Sequence, residues 1–97
     1  MEKKAYKYRM TLQLSQLPNG EEVPDKQLEL DFDNHDNLFT ILERIQDKNP
    51  FNDKQQAAEL VIGFKMFGEV MLKNRKHPLF EELNAVFPTF IKKLKSL

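Results

Sequence analysis

Cysteine is absent from the 97 residues, which removes disulfide stapling and thiol nucleophiles together. A metal site would therefore rest on oxygen ligands and at most two histidines, a poor set for structural zinc. Serine stands only at Ser15 and Ser96, at a strand end and in the last two residues, so no Ser–His–Asp arrangement is expected. Glycine is scarce, and neither GxGxxG nor GxxxxGK[ST], the loops that cradle phosphate, occurs. No apolar run approaches the ~18 residues of a membrane span, and MEKKAYKYRM lacks the apolar stretch of a signal peptide. These absences predict a cytoplasmic protein with no membrane association. There are no internal repeats and no low-complexity tract.

Ninety-seven residues predict one domain, 1–97, with one modest core. The balance of 40% apolar and 31% charged residues is that of a soluble folded chain rather than a disordered one. Net charge is zero but unevenly distributed. Residues 20–36 carry seven acids against one base, whereas residues 62–97 carry seven bases against three acids. Such a dipolar chain can satisfy its own field, within one molecule or between two. A dedicated nucleic-acid binder usually shows a net basic excess instead.

Tyr6, Tyr8, Met10, Leu12 and Leu14 alternate with polar residues, as do Leu28, Leu30 and Phe32. Period two predicts strands over about 5–15 and 27–33, each with one buried face. Asn19-Gly20 suggests a two-residue hairpin turn. That turn would pair even positions with odd ones, whereas the apolar residues of both strands are even. A wider loop, with Leu12 opposite Leu30 and Met10 opposite Phe32, restores the match.

Helical periodicity follows. Leu38, Phe39, Ile41, Leu42 and Ile45 fall within an arc of about 160°, predicting a helix over 35–47 with Asn34 as N-cap and Asp36 in the first turn. A second helix over 53–75 carries an apolar arc of roughly 240°, with Lys65, Glu69 and Lys73 on a narrow wet strip. Gly63 and Gly68 lie inside that arc, where close approach of another backbone would offset the propensity cost, the alternative being drift at tolerant positions. The third helix, 78–95, keeps its apolar phase through a solvent-facing Pro88, which should kink it. The fold class is therefore α+β: an N-terminal antiparallel hairpin packed against three helices, in the order β-β-α-α-α. A two-stranded sheet alone is marginal in water, so either helices cover it or its exposed edge pairs with a second copy as a homodimer.

Two stretches invite a chemical role. Asp31, Asp33, His35 and Asp36 offer oxygen ligands and one imidazole, a set suited to Mg²⁺ or Mn²⁺, or a carboxylate–histidine dyad for a small enzyme. The same residues are explained by a strand's wet face and a helix start. In LKNRKHPLF, Lys73, Arg75, Lys76 and His77 form a cationic knot that a ligand or protein partner could use. It also reads as a helix–helix corner, with bases at the negative end of one helix dipole and Pro78 opening the next. With Lys92, Lys93 and Lys95 these bases could support weak nucleic-acid association, though the clusters lie at opposite ends of the third helix. No catalytic residue and no cofactor is implied. The leading reading is a non-enzymatic module for a protein or small ligand.

FDNHDNLFTILERI, GFKMFGEVMLKNRKHPLFEEL and FIKKLK resemble a family of short bacterial proteins classed as a domain of unknown function. The likeness runs from the first strand to the last helix. Its more specific part is LFGEVMLK–x–R–x–HPLF, where this chain has Met66-Phe67 at the start and Asn74 between Lys73 and Arg75. The resemblance implies a small, stand-alone, cytoplasmic bacterial protein and carries no activity, cofactor or partner.

Overall fold

The computed structural model describes residues 5–23 and 25–97. The element order is β1 (Tyr6–Gln13), β2 (Gln27–Asn34), α1 (Leu38–Lys48), α2 (Lys54–Lys73), a 3₁₀ turn (Pro78–Phe80) and α3 (Glu81–Lys95). The expected α+β arrangement, an antiparallel hairpin followed by three helices, is present. The backbone groups into two compact units, one ending at Asp36 and one spanning Asn37–Leu97.

In the first unit β1 and β2 pair antiparallel, with Met10 opposite Leu30 and Leu12 opposite Leu28. The parity expected from the apolar alternation holds, but the register differs by two residues from Leu12–Leu30 and Met10–Phe32. Charge explains the choice. The observed register sets Arg9 opposite Asp31 and Lys7 opposite Asp33, whereas the expected one would set Lys7 opposite His35. Cross-strand pairs of opposite charge favour a register. Tyr8 also stacks on Phe32 with ring centroids 5.4 Å apart, and Leu14 N–H donates to Lys26 O at 2.9 Å, one rung beyond the strand.

Asn19-Gly20 does lie in a turn, but a three-residue one. Gly20 N–H donates to Leu17 O and Leu17 N–H to Glu21 O, while Gly20 takes φ 95°. This is the bulged loop in which a residue of positive φ follows a tight turn, and glycine adopts that φ without steric cost.

The second unit is helical. Asn37, not Asn34, caps α1, its side chain accepting from Phe39 N–H at 3.1 Å. The helix thus starts at Leu38 rather than 35, and Asp36 falls outside its first turn. Asn34 is already committed: it is buried at the end of β2, and its Oδ1 accepts from Asp36 N–H at 2.9 Å. That local turn competes with helix initiation. The C-terminal boundary falls where expected, at Asn49 before Pro50, with Asn49 in the left-handed region at φ 44°. Asp53 caps α2 by accepting from Gln55 and Gln56 N–H. Ile45, Ala57 and Val61 form the core between α1 and α2, joined by Ile41, Leu42 and Leu94.

Two expectations about α2 need correction. Among the described residues no backbone approaches the glycines, which leaves drift at tolerant positions: a Cβ at Gly63 would meet nothing within 4 Å, and one at Gly68 would only touch the Phe87 ring at 4.0 Å. Lys65 and Glu69 are half-buried, whereas Gly63, Phe67 and Val70 are exposed, so the wet side of α2 is partly apolar. With open space at residue 63, Gly63→Ala should stabilise the helix by about 1 kcal/mol through propensity alone. Thermal melting would check it, and a loss of stability would mean that a partner needs the gap.

The link from α2 to α3 is aromatic. Phe64 stacks on Phe87 at 5.3 Å and meets Phe90 at 5.6 Å, while Phe67 meets Phe80 edge-on at 6.1 Å. Pro88 lies inside α3 and is exposed, as its place in the apolar phase required. The helix begins as a 3₁₀ turn, and no α3 residue is fully buried.

Candidate functional site

The hairpin has two different faces. Odd positions make the polar one, where Arg9 Nε donates to Asp31 Oδ1 at 2.9 Å and Lys7 stands opposite Asp33. Arg9 and Asp31 are both largely exposed, so their pair contributes under about 1 kcal/mol and serves register more than stability. An open depression of about 480 Å³ is lined by Lys7, Tyr8, Arg9, Asp31, Phe32 and Asp33.

This geometry separates the four residues singled out for metal binding. Asp31 and Asp33 share the polar face, each across from a cation. His35 and Asp36 lie beyond the strand, with His35 Nε2 3.5 Å from Asp36 Oδ2. The Asp36 carbonyl accepts the Tyr8 hydroxyl at 2.8 Å, which ties the strand exit to β1. Among the described residues, no three histidine or carboxylate side chains gather as a metal would require.

Even positions make the apolar face. Leu12 is 65% exposed, Leu28 opposite it 50%, Leu30 40% and Tyr6 50%. Leu12, Leu28 and Leu30 are neighbours on this face and form an exposed apolar patch, while Tyr6 stands at its far end beyond the half-buried Tyr8, Met10 and Phe32. The sequence pattern identifies that face, because alternation marks one side of a strand without saying what covers it.

The cationic corner is built from local capping. Asn74 ends α2, its side chain donating to Val70 O at 2.8 Å, and Asn84 donates to Arg75 O at 3.0 Å. His77 Nδ1 accepts from Leu79 N–H at 3.1 Å, so the imidazole caps the 3₁₀ turn that Pro78 opens. Its ring also meets Phe80 edge-on at 6.4 Å. Lys73, Arg75 and Lys76 are exposed around it. The structure thus brings Lys73, Arg75, Lys76 and His77 to one corner, while Lys92, Lys93 and Lys95 occupy the last turn of α3, beyond its intervening length. Among the described residues, no helix is long and apolar enough to cross a membrane.

No curated protein matches the chain. Its structure is similar to the crystal structure of a protein of unknown function from Pectobacterium atrosepticum, with 34% identity and a TM-score of 0.82. That match covers 97% of this chain and 100% of the other. Residues 6–96 match DUF3861, a domain of unknown function with a solved structure. Spanning both strands and all three helices, the match shows that the chain belongs to the DUF3861 family.

Proposed function

We propose that this chain is a non-enzymatic protein-binding module of the bacterial cytoplasm that works as a homodimer, using the hairpin as its contact surface. The observation that carries the reading is the apolar patch of Leu12, Leu28 and Leu30, 40–65% exposed on adjoining strands. Contiguous exposed apolar surface of this kind favours association, because each Å² covered contributes roughly 25 cal/mol. A two-stranded sheet also gains most from added strands, since alone it is marginal. The carboxylates at 31 and 33, each set against a cation rather than another carboxylate, suit a structural role better than acid–base work.

Sedimentation equilibrium tests the reading. The wild-type protein is expected to sediment as a dimer at micromolar concentration, and Leu12→Lys with Leu28→Lys to return it to the monomer with its helical circular dichroism intact. A strict monomer at high concentration would remove the homodimer.

A further inference from the structure

We propose that the two copies join through β1, edge to edge, giving a four-stranded antiparallel sheet in the order β2-β1-β1-β2 with Met10 on the two-fold axis. The proposal rests on the homodimer reading and specifies its geometry.

The direction of the main chain shows which groups are available. In an antiparallel ladder, hydrogen-bonded and non-hydrogen-bonded pairs alternate. The bond from Leu14 N–H to Lys26 O belongs to an even pair in the same register, so the even residues of β1 direct their main-chain groups toward β2. The odd ones, Lys7, Arg9, Thr11 and Gln13, therefore direct theirs outward. Among the described residues the sheet has two strands only, so this edge carries no ladder partner. An unpaired edge is a template for another strand.

Charge and closure then choose among the pairings. Joining two β2 edges brings Glu29, Asp31 and Asp33 of both copies together, and any substantial overlap sets acid against acid. Joining β1 to β2 of the next copy is heterologous, leaves a free edge at each end and does not close. Joining β1 to β1 is isologous and closes at two chains. Its register is also constrained. Centring the pair on Tyr8 or Arg9 sets Lys7 against Arg9 or Arg9 against its own copy. Centring it on Met10 places Lys7 opposite the partner's Gln13 and Arg9 opposite the partner's Thr11, with no like charges facing. Each cation keeps its own acid across the hairpin, Asp31 or Asp33.

The same register sets the two apolar faces side by side along β1, with Leu28 and Leu30 on the outer strands. Tyr8 falls opposite the partner's Leu12 and Tyr6 opposite the partner's Leu14, in the non-hydrogen-bonded pairs where side chains approach more closely. Leu12, the most exposed apolar residue of β1 at 65%, thereby gains an aromatic neighbour. The four odd rungs would add about eight main-chain hydrogen bonds, two for each rung.

The absence of cysteine makes the test direct, since a single introduced thiol can bond only to another chain. A non-hydrogen-bonded pair sets Cα atoms about 4.5 Å apart, within the roughly 4.4–6.8 Å span of a disulfide. Met10→Cys is expected to form a covalent dimer under mild oxidation, reversed by reductant. Leu12→Cys alone should remain uncrosslinked, because residue 12 lies about 13 Å along the strands from its copy at 3.3 Å per residue. Circular dichroism and sedimentation of the reduced Met10→Cys protein establish that it folds and associates as the wild type does. If it does so and fails to crosslink, or if Leu12→Cys crosslinks instead, the β1 seam is overturned while the homodimer stands. A monomeric wild type overturns both.

Discussion

Ile45→Ala is expected to cost the helical unit about 2–5 kcal/mol, enough to consume much of the ~5–15 kcal/mol that holds a domain of this size. Ile45 is 6% exposed and meets Ala57, at 0%, and Val61, at 4%, on the facing helix. This cluster is small, and Ala57 has no side chain to move into the space left by a shortened neighbour. Collapse around the cavity is therefore limited, which places the cost toward the upper part of the range. Denaturant unfolding followed by circular dichroism would measure it. A loss below about 1 kcal/mol would show that helix propensity and the aromatic link, rather than this core, hold α1 to α2.

Phe64→Ala is expected to act differently, by loosening α3. The Phe64 ring stacks on Phe87 and touches Phe90, and α3 contributes no fully buried residue of its own. Leu94 reaches the Ile45 core, but the upper part of α3 relies on its phenylalanines. Because Phe64 is only half-buried, a loss of about 2–3 kcal/mol is expected, below the ~3–5 kcal/mol of a fully buried phenylalanine. Native-state hydrogen exchange distinguishes local from global loss. Amides of 81–95 should exchange faster in Phe64→Ala while those of α1 and the first half of α2 change less. Equal acceleration in all three helices would contradict a separately anchored α3.

Much of the architecture is legible in the residues because its signals are local. Alternation at Tyr6–Leu14 and Leu28–Phe32 marks both strands, and the cap chemistry of Asn49-Pro50, Asp53 and His77-Pro78 marks helix ends. The remainder depends on competition between equally suitable residues. Apolar alternation fixes register only to within two residues, and the pairing of Lys7 and Arg9 with Asp33 and Asp31 decides between the alternatives. Asn34 and Asn37 both suit an N-cap, but only one is free of the strand-end turn. Tertiary cover is the least legible. The arc on α2 reads as interior at Gly63, Phe67 and Val70, yet these residues are exposed. For the candidate site, the sequence locates the apolar face and the cationic corner, whereas the separation of Asp31 and Asp33 from His35 and Asp36 needs the pairing geometry.

The connection between α1 and α2 has a kinetic meaning. Residues 49–53 turn the chain with Pro50 between two asparagines already in the left-handed region, Asn49 at φ 44° and Asn52 at φ 54°. Asn52 N–H donates to Asn49 O across the turn, and Gln46 reaches over to the Lys54 carbonyl. Closing so short a loop takes on the order of 10–100 ns, and contacts near in sequence reward it at once. The Ile45–Ala57–Val61 contact is thus the first that the helical unit can make cheaply in entropy. The α1–α2 pair is therefore the expected nucleus onto which α3 condenses.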